Sequence, residues 1–311
     1  MSNAVLYNAR RKINDEFYTL YADIEKELIH YNKHFDNKVV YCNCDDPNKS
    51  NFWLYFKKNF KALKLRRLIS TYYTEEYTSK CVEFDGVSTK VRNLIGNGDF
   101  RSDECLRIMN ESDIIVTNPP FSLFHEYISI LFDRCKKFLI IGPMMGSTYK
   151  LVFPHIKNNE MWYGVNNKSG KVNFQISNTY QHLKNSMIDD FGNKYTNFGN
   201  IRWFTNLNFD KTAQPLQLNQ LYSPEKYPEY DNYFAININK YSQIPSDYFG
   251  VMGVPITFLD HYCPNQFEIL GISQTWDNSK ECELLKKYKT ASSPVLHGKK
   301  MFARIFIKRK I

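Results

Sequence analysis

Asn118-Pro119-Pro120-Phe121 is the stretch of this sequence whose residue types could do chemistry together. It follows an apolar run, Asp113-Ile114-Ile115-Val116, with Thr117 between. At ordinary residue usage, such a tetrapeptide arises by chance in about one chain in a few hundred of this length, so it reads as a motif. The matching substrate is a planar amino group such as that of adenine, a poor nucleophile because its lone pair is delocalised into the ring. Two acceptors facing its two N–H groups favour a tetrahedral nitrogen and free that pair. The Asn118 amide oxygen and the Pro119 carbonyl are two such acceptors, and consecutive prolines fix the chain that presents them. Phe121 offers a flat face to a base removed from its stack. No strongly shifted general base is required, because the nitrogen can lose its proton after methyl transfer. The plainer reading is a rigid loop ending a strand, with Phe121 in the core.

A methyl donor of the S-adenosylmethionine type would sit alongside. Carboxylates at the ends of the first two strands commonly hold its amino and ribose groups. Asp45 and Asp46 end the first strand here. Asp99, in Gly96-Asn97-Gly98-Asp99-Phe100, could accept from the cofactor's adenine amino group, with Phe100 beside the ring. Taken singly, Asp45 and Asp46 also suit a helix-entry turn. No metal is expected: Cys42 and Cys44 form a C-x-C with no matching Cys/His pair at zinc spacing, so they read as two small apolar residues of one strand.

The elements that must position these residues alternate between strands and helices. Asp23–Phe35 places Ile24, Leu28 and Tyr31 on one helical face. Strands follow at 38–44, 68–73, 113–116 and 138–141, and a hairpin is expected around Cys81–Phe84 and Asp85-Gly86. Ser50 has the type and place of a helix cap for residues 51–63, and another helix spans roughly 123–135. This alternation predicts an α/β fold with a mostly parallel sheet covered on both faces. Such sheets bind ligands outside the carboxyl ends of their strands, where the three polar clusters fall. After the polar stretch 166–200 and a strand at 201–207, prolines multiply among short aromatic strands. A boundary near Asp210 separates residues 1–210, the expected catalytic domain, from residues 211–311.

The chain has 311 residues, 43% of them hydrophobic and 23% charged, which excludes wholesale disorder. Its 41 basic and 32 acidic residues leave a net charge of +9, favouring a polyanionic partner. No run of 18 apolar residues is present, and the opening residues lack the apolar core of a signal peptide. Seven scattered cysteines suit a reducing compartment. A cytoplasmic protein with no membrane partner is expected.

The stretches 14–31, 42–52, 96–100, 112–124, 136–143, 198–207 and 253–271 together resemble the N6-adenine DNA methyltransferases, most closely the EcoRI-type modification methylases. The resemblance implies a class I S-adenosylmethionine-dependent methyltransferase fold, Rossmann-like, with a C-terminal mixed α+β target-recognition region. It implies methyl transfer to N6 of an adenine flipped from a short specific duplex sequence. Asn118, Pro119, Pro120 and Phe121 match the catalytic motif, with Asn118 also beside the cofactor. Asp99 and Phe100 match the cofactor-adenine segment. Phe17, Tyr18 and Thr19 match the segment that closes over the methionine part, with Thr19 the candidate contact. The turn at 42–47 lacks the glycines usual in the wider class. The resemblance admits a cognate restriction endonuclease as companion, without requiring contact.

The same motif also serves cytosine N4, RNA adenine N6 and protein glutamine. A reading from another class is a sequence-specific DNA-binding protein that has lost catalysis, against which the intact motif argues. The diffuse positive charge predicts that log affinity for duplex DNA falls linearly with log salt, with a slope of roughly −4 to −8. Binding measured across a salt series checks this, and a flat response would remove duplex DNA as the partner.

Overall fold

The computed structural model describes residues 18–76, 78–169, 172–176, 187–188, 194–197, 199–209, 215–274, 276, 284–286 and 292–310. The chain divides into two compact units. The first is Met1–Gly146 with Tyr163–Leu207, and the second is Ser147–Trp162 with Asn208–Ile311.

The first unit is built around central strands buried on both faces, with exposed strands at its edge. Strand β1 (Tyr18–Thr19) leads into helix α1 (Tyr21–Leu28), which continues as a 3-10 turn to His34. Ile24, Leu28 and Tyr31 all lie in the core, on the face that the periodicity predicts. Then come β2 (Val39–Cys42), α2 (Asn51–Lys58), β3 (Arg67–Thr71), β4 (Lys80–Phe84) and β5 (Thr89–Asn93). Helix α3 (Asp103–Glu111) leads to β6 (Ile114–Thr117), and α4 (Phe124–Asp133) to β7 (Lys137–Pro143). Strand β8 (Trp162–Tyr163) comes next along the chain. Strands β9 (Asn173–Ile176), β10 (Met187–Ile188), β11 (Lys194–Asn197) and β12 (Ile201–Thr205) follow.

The main sheet has the order β5-β4-β3-β2-β6-β7-β12-β8. It is mixed, where the alternation of elements predicts a mostly parallel sheet. β3, β2, β6 and β7 run parallel, while β4, β5 and β12 pair antiparallel with their neighbours. The cause at one edge is local. Asp85 Oδ1 accepts the amides of Val87 at 2.9 Å and Ser88 at 2.7 Å, closing a tight turn. A turn that short can only return an antiparallel strand. Ser50 caps α2, accepting from the amides of Phe52 at 3.1 Å and Trp53 at 3.4 Å. Ser102 does the same for α3 through the Cys105 amide, and that helix buries Cys105, Ile108 and Met109. A second sheet, β1-β9-β11-β10, lies within the same unit.

The central order has one decisive feature. From β2 the chain moves to β3 on one side, and β6 pairs on the other. The gap beyond the carboxyl ends of β2 and β6 is therefore the topological switch point, where open α/β sheets leave room for a ligand.

The second unit carries one short α-helix, α5 (Phe153–Lys157), and 3-10 turns at Tyr241–Gln243 and Ile256–His261 among its described residues. Its main sheet pairs β13 (Ile236–Asn237), β14 (Met252–Val254), β18 (Ile305–Arg309) and β15 (Phe267–Ile272), in that order. A two-stranded ribbon joins β16 (Val295–Leu296) to β17 (Lys299–Lys300).

In the turn before α3, Gly98 has φ +79°, and a Cβ there would collide with the Tyr72 carbonyl oxygen and the Ser79 side chain. Gly98→Ala should cost about 1–3 kcal/mol of folding stability through strain and overlap. A thermal-unfolding midpoint equal to wild type would show that this turn is not held as described.

Candidate active site

The turn that leaves β6 carries the residues with the clearest chemistry. Thr117 closes the strand, buried with the rest of it. Asn118 is half-buried, with its Oδ1 below the surface, Pro119 is buried and Pro120 exposed. The Pro120 carbonyl accepts from the Leu123 amide at 3.0 Å, closing a 3-10 turn over Phe121–Leu123 that runs into α4. The half-buried Phe121 ring meets the buried Phe174 edge-on, with centroids 6.5 Å apart at 81°.

Beside it stands the turn after β2. Asp45 is 7% exposed. Its Oδ1 accepts from Ser50 Oγ at 2.6 Å and its Oδ2 from Thr117 Oγ1 at 2.5 Å. The backbone N–H of Asn118 also donates to this carboxylate. The Asp45 amide donates to the Thr71 carbonyl at 3.0 Å, and Ser70 Oγ donates to the Asp45 carbonyl. Burial pushes the Asp45 carboxyl up to about 6, against the downward pull of Ser50, Thr117 and the Asn118 amide. Asp46 differs: it is half-buried, and its Oδ1 accepts from the Asn48 amide at 3.0 Å and from Asn48 Nδ2 at 3.1 Å.

Asn43 opens this turn and is 1% exposed. Its Oδ1 accepts from Tyr127 OH at 2.5 Å, and the Tyr127 ring packs edge-on against Phe100 with centroids 5.0 Å apart. The Asn43 Nδ2 is buried with no hydrogen-bond partner among the described residues. The thiols of Cys42 and Cys44 are pushed well up by burial first and by Asp45 next, so both stay protonated. Cys42 ends β2, whereas Cys44 lies in the turn beyond it. Among the described residues, no group of three or more His, Cys, Asp or Glu side chains could hold a metal ion.

Asp99 is tied to Arg101. Its Oδ1 accepts from Arg101 Nε at 2.9 Å and its Oδ2 from Arg101 Nη2 at 2.6 Å. The Arg101 hydrogen bonds hold the Asp99 carboxyl below the usual range. Phe100 is buried, with the Arg101 guanidinium over its ring at 5.5 Å.

Of the N-terminal segment, Phe17 lies outside the described residues. Tyr18 is half-buried with the Lys49 ammonium 5.8 Å from its ring centroid. Thr19 is 3% exposed and pairs with Phe174 in the β1–β9 register. Its carbonyl accepts from Asn51 Nδ2 at 2.8 Å. Its hydroxyl oxygen is buried without a hydrogen-bond partner among the described residues.

Thr19, Asn51, Ser50, Asp45, Thr117 and Asn118 thus follow one another through hydrogen bonds and adjacent chain positions. The candidates from three separate segments meet at the switch point, and Phe121 joins through Phe174. Asp99 and Phe100 reach the same place through Tyr127 and Asn43. Thr117, Asn43, Tyr127 and Arg101 are contributors that reading the sequence misses. Thr117 stands directly before the motif, and Asn43 is a polar residue within an otherwise apolar strand end. Neither position names its partner in the sequence.

A family model described as adenine-specific methyltransferase EcoRI matches residues 5–91 and 76–310. The chain is 42% identical over 332 residues to the type II methyltransferase M.EcoRI of Escherichia coli, covering 99% of this chain and 97% of that one. It is 37% identical to M.MgeORF184P of Mycoplasma genitalium, covering 97% and 98%. It is 35% identical to M.MpnI of Mycoplasma pneumoniae, covering 97% of each. Both are named type II methyltransferases. No solved structure matches the chain.

The Asp99–Arg101 pair carries its own test. The depressed Asp99 carboxyl contributes stability above the unfolded-state value, and that contribution is lost as pH falls through the lower folded value. Arg101→Ala should return Asp99 toward its ordinary range, read by NMR titration of the carboxyl carbon. An unchanged titration would show that the pair does not form in solution.

Proposed function

The chain belongs to the EcoRI family of adenine-specific DNA methyltransferases, and from that premise we propose that the turn Asn118–Phe121 methylates N6 of an adenine flipped out of duplex DNA. The observation that carries this reading is the position of the turn at the carboxyl end of β6, beside the switch point, where Thr117 donates to Asp45 of the turn after β2.

The family implies S-adenosylmethionine, which supplies an electrophilic methyl group when bound. The residues fit such a group: Thr19 Oγ1 and Asn43 Nδ2 are buried polar atoms without partners among the described residues. A ligand rich in carboxylate, ammonium and hydroxyl groups can satisfy both. Thr19, Asn43, Asp99 and Phe100 are the residues assigned to hold it, with Tyr18 and Asp46 at the margin; Asp99, although paired with Arg101, is a partly exposed carboxylate with lone pairs still open to a ligand, unlike the buried Asp45. Phe17 keeps the role that the resemblance implies.

The Asn118 amide oxygen and the Pro119 carbonyl accept the two N–H groups of the adenine amine, which draws the nitrogen toward tetrahedral geometry. Pro119 and Pro120 keep both acceptors in place, so little reorganisation is needed as charge develops. Phe121 lies against the base face, its own orientation fixed by the edge of Phe174. The nitrogen releases its proton after transfer.

The parallel order β3-β2-β6-β7, with α2, α3 and α4 between strands, supports a class I, Rossmann-like assignment. The second unit, which holds residues 211–311 together with 147–162 and 208–210, is assigned to target recognition. Its exposed Lys299 and Lys300 on the β16–β17 ribbon suit a phosphate backbone. The type II reading includes a cognate endonuclease for the same sequence, with no contact between the two proteins required.

Incubation with mixed-sequence DNA and labelled S-adenosylmethionine, followed by nucleoside analysis, should yield N6-methyladenine and no N4-methylcytosine. Asn118→Ala should lose at least about two decades of rate, as for one preorganised polar group in a dry site, with cofactor affinity kept. Methylation confined to RNA or protein would overturn the substrate, and an Asn118→Ala rate near wild type would overturn the role of the turn.

A further inference from the structure

Asp45 is a buried carboxylate that the reaction above does not use. Three donors converge on it: Ser50 Oγ at 2.6 Å, Thr117 Oγ1 at 2.5 Å and the Asn118 N–H. Its backbone is held as well, by the Thr71 carbonyl and the Ser70 hydroxyl. Thr117 Oγ1 in turn accepts from the Cys44 amide at 3.2 Å. The carboxylate is therefore fixed to the ends of β2, β3 and β6, and it grips the two residues that set where the Asn118 side chain begins. Both of its oxygens already have donors within the protein, whereas the side-chain contacts of Asp46 among the described residues are those of Asn48 to one oxygen.

We propose that Asp45 is a positioning residue for the catalytic turn: it holds Asn118 in place through Thr117 and the Asn118 amide, and it is not a ligand of the cofactor. The inference rests on the assignment of Asn118 above. Displacing a reacting group by about 1 Å can cost two decades of rate, so a lock on the turn has large leverage.

The charge state of Asp45 follows from its surroundings. Burial dominates and raises its carboxyl to about 6, and Asp46 adds to the rise. Ser50, Thr117 and the Asn118 amide oppose it. The Cys42 and Cys44 thiols and the Tyr127 hydroxyl also face it, and all three are pushed up and neutral. Above about pH 6 the anion accepts from all three donors. Below it, the acquired proton turns one acceptor into a donor among donors, and the grip on the turn weakens. The turnover rate should therefore fall as pH drops through about 6.

Four variants of the full-length protein test this with DNA and S-adenosylmethionine: Asp45→Asn, Thr117→Val, Thr117→Ser and Asn118→Ala. Asp45→Asn and Thr117→Val should each lower kcat by at least about tenfold, with the S-adenosylmethionine Kd, read by calorimetry, within about threefold of wild type. Thr117→Ser, which keeps the hydroxyl, should recover most of the rate that Thr117→Val loses. Asp45→Asn should also lose the acid limb of the wild-type pH profile. The Thr117 pair carries the test if Asp45→Asn does not fold. A loss of cofactor affinity in Asp45→Asn that matches its loss of rate would make Asp45 a ligand and overturn the proposal. Wild-type kcat in Asp45→Asn or Thr117→Val would also overturn it. If Asn118→Ala is inactive while these are active, this inference alone fails. If Asn118→Ala is active, the assignment of the turn fails and takes this inference with it.

Discussion

A carboxylate taken out of water is tolerated only when donors inside the protein replace the solvent. Asp45 meets that condition with Ser50, Thr117 and the Asn118 amide. The three come from different places: the cap of α2, the last residue of β6 and the first residue of the Asn-Pro-Pro-Phe turn. Satisfying the charge therefore requires the ends of two neighbouring parallel strands and one helix to converge. Removing one donor would leave a buried charge short of partners, a penalty of several kcal/mol. The local geometry of the site and the stability of the switch point depend on the same atoms.

A raised carboxyl beside a candidate active turn invites reading as a general base. The geometry argues otherwise. A base must face the proton it takes, and both Asp45 oxygens are turned toward donors of the protein itself. Asp99, a second carboxylate of the proposed site, is shifted down and bound by Arg101. Neither fits proton abstraction from an amine of low basicity. Both fit a reaction in which the protein shapes the lone pair and the proton leaves afterwards. That is the chemistry to which an amide oxygen and a proline carbonyl are suited.

Local signals made much of this site legible in the sequence. The apolar run before Asn118 marks β6, Ser50 marks the start of α2, and Gly98 marks the turn that carries Asp99, because each works through near neighbours. The use made of Asp45 was not legible, since its partner Thr117 lies 72 residues away and only the β2–β6 pairing brings them together. Composition could place Asp45 at a strand end, and there a ligand and a lock look alike. Helix α3 is hard to read from sequence although Cys105, Ile108 and Met109 have helical spacing behind the Ser102 cap, because the polar residues around them mask the pattern. The antiparallel direction of β12 is likewise not legible, since a buried strand reads the same in either direction. Residues 147–162 cluster with the second unit, which depends on contacts far along the chain.

The rest of the site is most informative where the protein breaks its own rule. Buried polar atoms around Asp45 are paired, yet Thr19 Oγ1 and Asn43 Nδ2, on either side of the same network, have no partner among the described residues. Each such atom costs about 1–3 kcal/mol when left without one. The two are not loose ends of a poorly packed region. Thr19 is held through its carbonyl by Asn51, and Asn43 through its amide oxygen by Tyr127. Neighbours thus orient each residue while one polar atom of each is left over. Rigid presentation of an unsatisfied group is what a binding site needs, because the ligand then supplies the missing hydrogen bond without ordering the side chain first. The Asp45 lock and these two atoms are complementary: one uses every donor to hold the turn still, and the others hold a donor and a hydroxyl in reserve beside it.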